Sequence, residues 1–368
     1  MALPPWLVRL ATVGCRRLKG GSMSRNVVAI VSSILFVVLA ALIVLVPVPV
    51  VTWRPGETID VLGADEDGPL LQVNGLENYP TRGELRLTTV SRSSVDASVS
   101  LPEALIAHLA PDSEALPRDV VYPPGKSNEQ VREEAVASMD SSRDHAVVAA
   151  LRAAGQPVTE MPMVSSVVLA GPSNGKLHAG DLIESIDGQV VSTRDDVAEV
   201  IRNRSVGDPV VFKVVRDGAQ LTVSVVTTAN ADSQPYAGIG VDVGYLFAPQ
   251  VEYRIDPAVV GPSAGLVFSL AIYDKITEGS LIGDHVVAIT GEVDASGKVE
   301  GIGGIRAKIR GAERAGATIF VLPMETCKNI GDFRTDLRLV PVDTLKDAIA
   351  ALQLIKEGQS DMEVPTCE

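Results

Sequence analysis

Two residues form a candidate catalytic pair, and the first is Ser263. It follows Pro262, which suits the first turn of a helix because proline has no N–H to leave unpaired and its φ is already fixed. Gly261 and Gly265 remove side-chain bulk on either side, so that backbone or substrate can approach closely. A hydroxyl at a helix start lies beside unpaired N–H groups, a setting that stabilises an oxyanion. The same pattern also fits a serine that only caps a helix.

The second residue of the pair is Lys308, in a helical pattern that follows a run of glycines. At about 100° per residue, Lys308 shares one helical face with Ile305 and Ile309. An ammonium group is disfavoured in an apolar stripe, so its pKa should fall. A neutral amine can act as a general base toward a serine hydroxyl. The alternative is a lysine that buries its stem and keeps its charged end in water.

Four motifs in the same order resemble the proteolytic domain of the Lon family of serine proteases. They are Gly261-Pro262-Ser263-Ala264-Gly265, Thr290-Gly291-Glu292-Val293, Gly301-Ile302-Gly303-Gly304-Ile305-Arg306-Ala307-Lys308, and Ala315-Gly316-Ala317 with the strand Ile319-Phe320-Val321-Leu322-Pro323. The resemblance implies a Ser–Lys dyad in which Ser263 is the nucleophile and Lys308 the general base. It also implies a supporting hydroxyl at Thr290. Asp256 is a candidate because relatives often carry an acidic residue before the nucleophile.

The charge of the chain argues against a nucleic-acid-binding function. The 368 residues carry 46 acidic and 32 basic side chains, a formal net charge of −14, and they form no basic stripe. The four histidines and three cysteines lack the spacing of metal ligands. The sequence contains no nucleotide-binding motif. We therefore expect no cofactor, no metal, no nucleic-acid partner and no ATPase activity from these residues.

The N-terminal part of the sequence has the pattern of a single-pass membrane anchor. Residues 1–26 contain five basic residues and no acidic one, and residues 27–51 contain no charge. About 20 apolar residues span a bilayer as a helix, and Trp53 and Arg54 follow as expected interfacial anchors. The positive-inside rule then predicts that residues 1–26 are cytoplasmic and that the rest lies outside the cell membrane. A cleaved signal peptide is the alternative, and Met23 is a second candidate for the start of the chain.

Residues 156–229 resemble a PDZ domain, a small β-barrel-like sandwich with helices. The resemblance rests on Ala179-Gly180-Asp181-Leu182-Ile183, Ile186-Asp187-Gly188 and the turn Arg216-Asp217-Gly218. PDZ domains bind an extended peptide by adding it as a strand to a sheet edge. We expect the bound peptide to lie along Met163, Val164, Ser165 and Ser166. A PDZ fold that serves only as a spacer is the alternative.

The regions on either side of the PDZ-like unit are interpreted as two halves of one Lon-type domain. Residues 56–154 show strand-like and helical patterns, with a capping box at Ser127 and Gln130 that predicts a helix start. Residues 237–356 hold the four motifs. The predicted fold class is α+β, with the PDZ domain inserted in the Lon-type domain. One transmembrane helix at 27–51 precedes it, and an acidic tail at 357–368 follows.

In this interpretation Cys327 and Cys367 both lie on the extracytoplasmic side of the membrane. An oxidising space allows a disulfide, and we predict that the two cysteines pair. The bond would tie the C-terminal tail to the loop after the strand at 319–322. Two unpaired thiols are the alternative.

Together these features predict a membrane-anchored, extracytoplasmic serine endopeptidase. The PDZ domain would hold a protein or peptide substrate near Ser263 and raise its local concentration. One alternative is a non-catalytic PDZ adaptor that binds peptides or partner proteins. Another is a Ser–His–Asp hydrolase that uses His285 and Asp256, although the chain lacks the Gly-x-Ser-x-Gly turn of many such enzymes. Lon relatives assemble into rings, so a homo-oligomer is compatible with the resemblance.

Overall fold

The structure is a computed structural model that describes residues 25–94, 97–110, 112–122, 125–359 and 364–367. Residues 1–24 of the predicted cytoplasmic segment 1–26 lie outside the described residues. So do residues 360–363 and 368 of the predicted acidic tail. The described chain forms one apolar helix, a large mixed sheet with helices on both faces, and a smaller sheet with one helix.

The elements below are numbered in chain order. The helices of the described residues are α1 Arg25–Leu45, α2 Leu101–Leu109, α3 Arg118–Val121, α4 Asn128–Ala153, α5 Arg194–Arg202, α6 Gly265–Ile276, α7 Ile305–Arg314 and α8 Leu345–Lys356. The 3₁₀ turns are Pro262–Ala264 and Met324–Asn329. The strands are β1 Pro47–Val48, β2 Val50–Asp60, β3 Ala64–Asp65, β4 Gly68–Pro69, β5 Leu71–Asn74, β6 Glu84–Arg92, β7 Val99–Ser100, β8 Glu114–Pro117, β9 Thr159–Val167, β10 Leu182–Ile186, β11 Gln189–Val190, β12 Pro209–Arg216, β13 Ala219–Val226, β14 Thr228–Ala229, β15 Pro235–Tyr236, β16 Ile239–Leu246, β17 Gln250–Tyr253, β18 Val286–Ile289, β19 Glu292–Val293, β20 Val299–Glu300, β21 Ile319–Pro323 and β22 Arg338–Val342.

Helix α1 is the apolar helix near the beginning of the described chain. Its residues Asn26–Leu45 have a mean hydropathy of 3.2 and are not buried, and their length and composition suffice to cross a membrane. A signal sequence meets the same criteria. The helix ends at Leu45, because Pro47 cannot continue it and already belongs to β1. The predicted span of 27–51 is therefore wrong at its C-terminal end.

The large sheet is built from strands on both sides of the PDZ region. Its order is β22-β21-β18-β6-β2-β8, so strands of the N-terminal part pair directly with strands of the C-terminal part. β6, β18, β21 and β22 are parallel, and β2 is antiparallel to β6 and β8. The register places Leu85 opposite Val287 and Leu87 opposite Ile289. Because the two parts share one sheet, neither can bury its core without the other.

The two faces of the large sheet are covered by different helices. Val287 and Ile289 face a core filled by α4, α6 and α8, whereas Ala288 faces a smaller core under α7. A strand sends alternate side chains to opposite faces, which explains this division. Ser263 immediately precedes α6 and Lys308 lies in α7. The two candidate catalytic residues therefore come from opposite faces and can meet where β18 ends.

The smaller sheet has the order β13-β12-β10-β9-β16, with the short β11 paired to β10. Helix α5 packs over its core, which includes Val164, Ile183 and Phe212. β16 pairs with β9 from Thr159 to Val167. The folded unit therefore extends beyond the predicted boundary at residue 229. Its last strand lies in the range 237–356 that was predicted to belong to the Lon-type domain, because that strand is needed to complete the sheet.

A disulfide joins Cys327 to Cys367, with 2.09 Å between the two Sγ atoms. It attaches the C-terminal residues to the 3₁₀ turn Met324–Asn329, which follows β21. Both cysteines pack against the core under α7. The bond therefore fixes the chain end to the face of the sheet that carries Lys308.

Candidate active site

Ser263 lies in the 3₁₀ turn Pro262–Ala264, immediately before α6. Gly261 has a φ of 102°, which an L side chain rarely adopts, and this conformation turns the chain into the 3₁₀ turn. The Gly261 N–H donates to Ala135 O in α4 at 3.2 Å. Helix α4 therefore holds the backbone just before the serine.

Ser142 of α4 is a positioning residue that no sequence motif indicated. Its Oγ donates to Pro262 O at 2.9 Å, and only 2% of the residue is exposed. A Cβ at Gly265 would lie 2.9 Å from Ser142 Oγ and 2.9 Å from Val293 N, so only glycine permits this close approach. The sequence signal was a single polar residue on the buried face of α4, beside Met139. Such a residue is too common to identify a site by itself.

Lys308 reaches the serine from α7, on the other face of the sheet. Its Nζ lies 2.8 Å from Ser263 Oγ and 2.8 Å from Thr290 Oγ1. Only 3% of the residue is exposed. Burial disfavours the ammonium form and lowers the pKa of Lys308 from 10.5 to about 7. A substantial fraction of the amine is therefore neutral at neutral pH.

Thr290 links the two residues from the end of β18. It is fully buried, and its N–H donates to Val321 O at 3.0 Å, which fixes it to the large sheet. Its hydroxyl accepts a hydrogen from the Lys308 amine and donates to Ser263 O at 3.4 Å. Because Thr290 accepts an amine hydrogen, the nitrogen lone pair is free to point at the serine hydroxyl.

Trp53 packs against the glycine loop that precedes α7. A Cβ at Gly303 or at Gly304 would come within 2.6 Å of the indole ring. Gly304 has a φ of 70° and is the N-cap residue of α7. The ring and the two glycines thus set where α7 begins and where Lys308 lies one turn later. The prediction of Trp53 as an interfacial anchor is wrong, because β2 carries the residue into the large sheet.

Two other candidates, Asp256 and His285, are outside the cluster of hydrogen bonds that joins Ser263, Lys308 and Thr290. The Asp256 carboxylate accepts an N–H from Ala258 at 2.7 Å and so stabilises its own exposed turn. His285 precedes β18 whereas Thr290 follows it, and five residues of strand span roughly 16 Å. The geometry therefore favours lysine over histidine as the partner of the serine.

The arrangement brings together a hydroxyl that can act as a nucleophile and an amine that can act as a base. A serine hydroxyl is a weak nucleophile, and a neutral amine at hydrogen-bond distance can remove its proton. The first two N–H groups of α6 already have acceptors, since Gly265 donates to Pro262 O and Leu266 donates to Gly291 O at 3.0 Å, so they are not free to bind an oxyanion. Among the residues that the structure describes, no group of three or more His, Cys, Asp or Glu could hold a metal ion. The contact is therefore suited to acyl transfer through a serine ester.

The residues predicted to bind a peptide all lie in the interior strand β9: Met163, Val164, Ser165 and Ser166. β16 is paired along the whole of one side of β9. On the other side, the Val164 N–H donates to Asp181 O at 2.9 Å and Val164 O accepts from Gly180 at 2.8 Å. An added strand cannot pair where these bonds are already made. The assignment of the peptide to β9 is therefore wrong.

Within the described residues, the open edge beside β9 is β16. Val241 lies opposite Val164, whose N–H and C=O already point toward β10. In an antiparallel ladder such a pair is not hydrogen-bonded, so the N–H and C=O of Val241 face the open side. The Val243 N–H also turns away from β9 and donates to the Asp242 carboxylate at 2.8 Å. Helix α5 is in contact with β16, so a strand added to this edge would also lie beside the helix.

Comparison with known proteins assigns both units to known domain types. A model of the PDZ domain matches residues 141–227. A model of the C-terminal proteolytic domain of Lon protease (S16) matches residues 256–355, a range that contains Ser263, Thr290 and Lys308. The fold is therefore mixed α+β, with a PDZ domain and a Lon-type proteolytic domain.

The relatives found in the same comparisons match parts of this chain. The Lon protease of Chloroflexus aggregans is 33% identical over 144 residues, which are 37% of this chain and 16% of that protein. The Lon protease of Methanosarcina barkeri is 36% identical over 93 residues, 24% of this chain and 11% of that protein. The solved PDZ domain of an SdrC-like protein from Listeria innocua is 34% identical, with a TM-score of 0.21, and the match covers 22% of this chain and 92% of that one. The match with the Chloroflexus protein thus spans about a sixth of the length of that relative.

Proposed function

We propose that this chain is a serine endopeptidase that cleaves peptide bonds through a Ser263–Lys308 dyad. The observation that carries the proposal is the 2.8 Å separation between Ser263 Oγ and the Nζ of a buried lysine. The lowered pKa of that lysine supports its use as a base. The similarity to the Lon proteolytic domain supports the same class of reaction.

The first half of the reaction forms an acyl-enzyme. The neutral Lys308 amine accepts the hydroxyl proton as Ser263 Oγ attacks the carbonyl carbon of the substrate. Negative charge develops on the carbonyl oxygen during this attack. The resulting ammonium gives its proton to the leaving amine as the C–N bond breaks. An ester on Ser263 remains, and the amine is neutral again.

The second half of the reaction hydrolyses the ester with the same base. Lys308 takes a proton from a water molecule as the water oxygen attacks the ester carbonyl. It then returns the proton to Ser263 Oγ as the ester C–O bond breaks. Thr290 holds the amine in position throughout, because its own N–H anchors it to β21. The cycle needs no external oxidant, metal or nucleotide.

The proposal places the enzyme at the outer side of a cell membrane. The apolar helix α1 supports a single membrane span, and only residue 46 separates it from β1. The basic residues that precede α1 in the sequence favour a cytoplasmic N-terminus. The disulfide between Cys327 and Cys367 favours an oxidising space around the catalytic domain.

Substrate capture is assigned to the open edge of β16 beside α5. An extended segment can pair with the outward N–H and C=O of Val241 as an added strand. Strand addition requires a backbone that is not already hydrogen-bonded in the substrate. The expected substrates are therefore flexible or unfolded protein segments outside the membrane.

The proposal is tested with the full chain and an unfolded protein as substrate. Ser263→Ala should abolish cleavage and leave peptide binding at the PDZ domain unchanged. Ser269→Ala is the matched control, because it removes a buried α6 hydroxyl that donates to Gly265 O at 2.8 Å, and it should still cleave. Mass spectrometry of envelope peptides from wild type and Ser263→Ala then identifies natural substrates.

Two results would overturn the proposal that this chain is a peptidase. Undiminished cleavage by Ser263→Ala would show that another group is the nucleophile. A wild-type chain that binds peptides and cleaves none would instead support the PDZ adaptor.

A further inference from the structure

Helix α2 exposes a continuous apolar face. Four large apolar residues, here called the α2 face, are exposed to solvent. They are Leu101 (47%), Leu105 (54%), Ile106 (67%) and Leu109 (72%). At about 100° per residue they occupy an arc of roughly 140°. Glu103 and His108 flank this arc on its two sides, and the buried residues Ala104 and Ala107 lie opposite. The pattern is that of a helix with one side on the protein and another side against an apolar environment.

The α2 face begins next to the end of α1. β1 follows α1 and pairs with β7, so that Pro47 lies opposite Ser100 and Val48 opposite Val99. Ser100 is the N-cap residue of α2, and its hydroxyl accepts the Glu103 N–H. Helices α1 and α2 are in contact. The start of α2 is therefore fixed within a few residues of the point where α1 ends.

A further exposed apolar residue lies on another element near the end of α1. Val120 of α3 is 71% exposed. The first residue of α3, Arg118, donates its N–H to Pro49 O at 2.9 Å. Pro49 lies between β1 and β2, just after the apolar helix. Val120 thus adds one exposed apolar side chain on a second element near the end of α1.

The polar groups at the two edges of the α2 face do not oppose contact with lipid. The Glu103 carboxylate is paired with Arg54 at 3.1 Å, so the charge at one edge of the face is balanced. His108 lies at the other edge and is exposed. Polar groups at the borders of an apolar arc can remain in the headgroup region while the apolar residues enter the acyl boundary.

The geometry points to the α2 face and Val120 as a second membrane contact, seated in the outer leaflet of the bilayer that α1 spans. The inference rests on the proposed membrane anchoring by α1. A single spanning helix leaves a domain free to tilt and rotate, whereas a second contact close to its end fixes the orientation of the domain. We favour the bilayer as the partner that covers the α2 face. A surface so close to the end of a spanning helix lies at the headgroup region of the membrane.

The test places one fluorescent probe at a time in the full chain. In a Cys15→Ser background with the disulfide intact, Ile106→Cys carries an environment-sensitive nitrobenzoxadiazole label. Phe36→Cys in α1 and Leu169→Cys in the PDZ domain, which are 73% and 85% exposed before substitution, are the reference positions. Each protein is reconstituted in vesicles of phosphatidylcholine and phosphatidylglycerol, with or without brominated acyl chains.

The inference predicts a blue-shifted emission at position 106 that brominated lipid quenches, as at position 36, and a water-like, unquenched emission at position 169. A water-like emission at 106 with quenching at 36 would overturn the second contact and leave the anchor in place. A blue shift at 106 that depends on protein density and resists brominated lipid would assign the face to a second copy, and would also overturn the inference. Loss of quenching at 36 would instead remove the anchor, so the two failures are distinguishable.

Discussion

In the Lon-type domain the proposed base and the threonine that contacts it are enclosed. Lys308 is 3% exposed, Thr290 is fully buried, and both belong to elements fixed on the large sheet. In the PDZ domain the groups proposed to bind a peptide are open, because the N–H and C=O of Val241 face away from the smaller sheet. Enclosure changes an acid–base property, since burial lowers the pKa of the lysine. The open edge of β16 changes no pKa, but its unpaired backbone N–H and C=O groups can hydrogen-bond to an added strand.

The same contrast has an energetic side. A lysine that is neutral when folded and charged when unfolded makes folding less favourable near neutral pH. An exposed strand edge carries no such penalty, because water satisfies its backbone groups until a peptide replaces the water. The proposed dyad and the open edge of β16 should therefore respond differently to substitution.

The largest effect is expected from Lys308→Met in the enclosed site. Loss of the general base should lower kcat for peptide cleavage by about 10²–10⁴-fold, with peptide affinity at the PDZ domain unchanged. Steady-state kinetics and peptide titration of the same protein measure both. The control is Lys346→Met, which changes an exposed lysine in α8 and should leave kcat unaltered. A fall in peptide affinity equal to the fall in kcat would contradict the claim that catalysis and peptide binding belong to separate regions.

The same variant should be more stable than wild type at neutral pH. The pKa of Lys308 is about 7 in the folded chain and 10.5 in the unfolded one, so the unfolded state binds more protons between these values. The penalty is on the order of 4 kcal/mol at pH 7 and below, and loss of two hydrogen bonds offsets about half of it. Denaturant titration should show a gain of about 1–3 kcal/mol that shrinks as the pH rises from about 7 toward 10.5.

A smaller effect is expected from a methyl group placed beside Trp53. Gly304→Ala adds a Cβ 2.6 Å from the indole ring at a φ of 70°, which should cost about 2–3 kcal/mol and displace the start of α7. Gly316→Ala is the matched control. Its φ is 77°, but among the described residues its Cβ would meet nothing within 4 Å, so it should cost only about 1–2 kcal/mol. Equal unfolding free energies for the two variants would show that the ring does not position α7.

The smallest effect is expected at the open edge. Val241→Pro removes one outward N–H from β16 and should weaken peptide binding about tenfold, the value of one hydrogen bond. Cleavage of a short unstructured peptide by Ser263 should be unchanged. Ser165→Ala in β9 is the control and should leave affinity unaltered. If the serine variant weakened binding and the proline variant did not, the peptide would belong to β9 after all.

The sequence was most informative where function requires particular residue types close together. The family models confirm the mixed α+β fold with its two domain types. The sequence could predict it because the motifs at Ala179–Asp181 and Gly261–Gly265 are each formed by neighbouring residues. The capping box at Ser127 and Gln130 is also confirmed at the start of α4. The nearness of Ser263 and Lys308 followed from a resemblance and from a lysine in an apolar stripe. Their catalytic roles stay predictions.

The sequence was least informative where the outcome depends on pairing between distant segments. β9 and β16 have similar strand patterns, and only the completed sheet shows which one has a free edge. Trp53 follows an apolar helix, a pattern typical of membrane interfaces, yet the register of β2 places its ring on Gly303 and Gly304. The position of Ser142 on the buried face of α4 was too weak a signal to identify it, because its role depends on a carbonyl 120 residues away.

The most direct measurement is a titration of the Lys308 side chain itself. The full chain with ¹³C-labelled lysine is followed by NMR across pH, and the spectrum of Lys308→Arg assigns the resonance by its loss. Burial beside Ser263 and Thr290 predicts an apparent pKa of about 7 for Lys308 in Ser263→Ala or wild type. A pKa near the ordinary value of about 10.4 would mean that the amine is charged at neutral pH and cannot serve as the base.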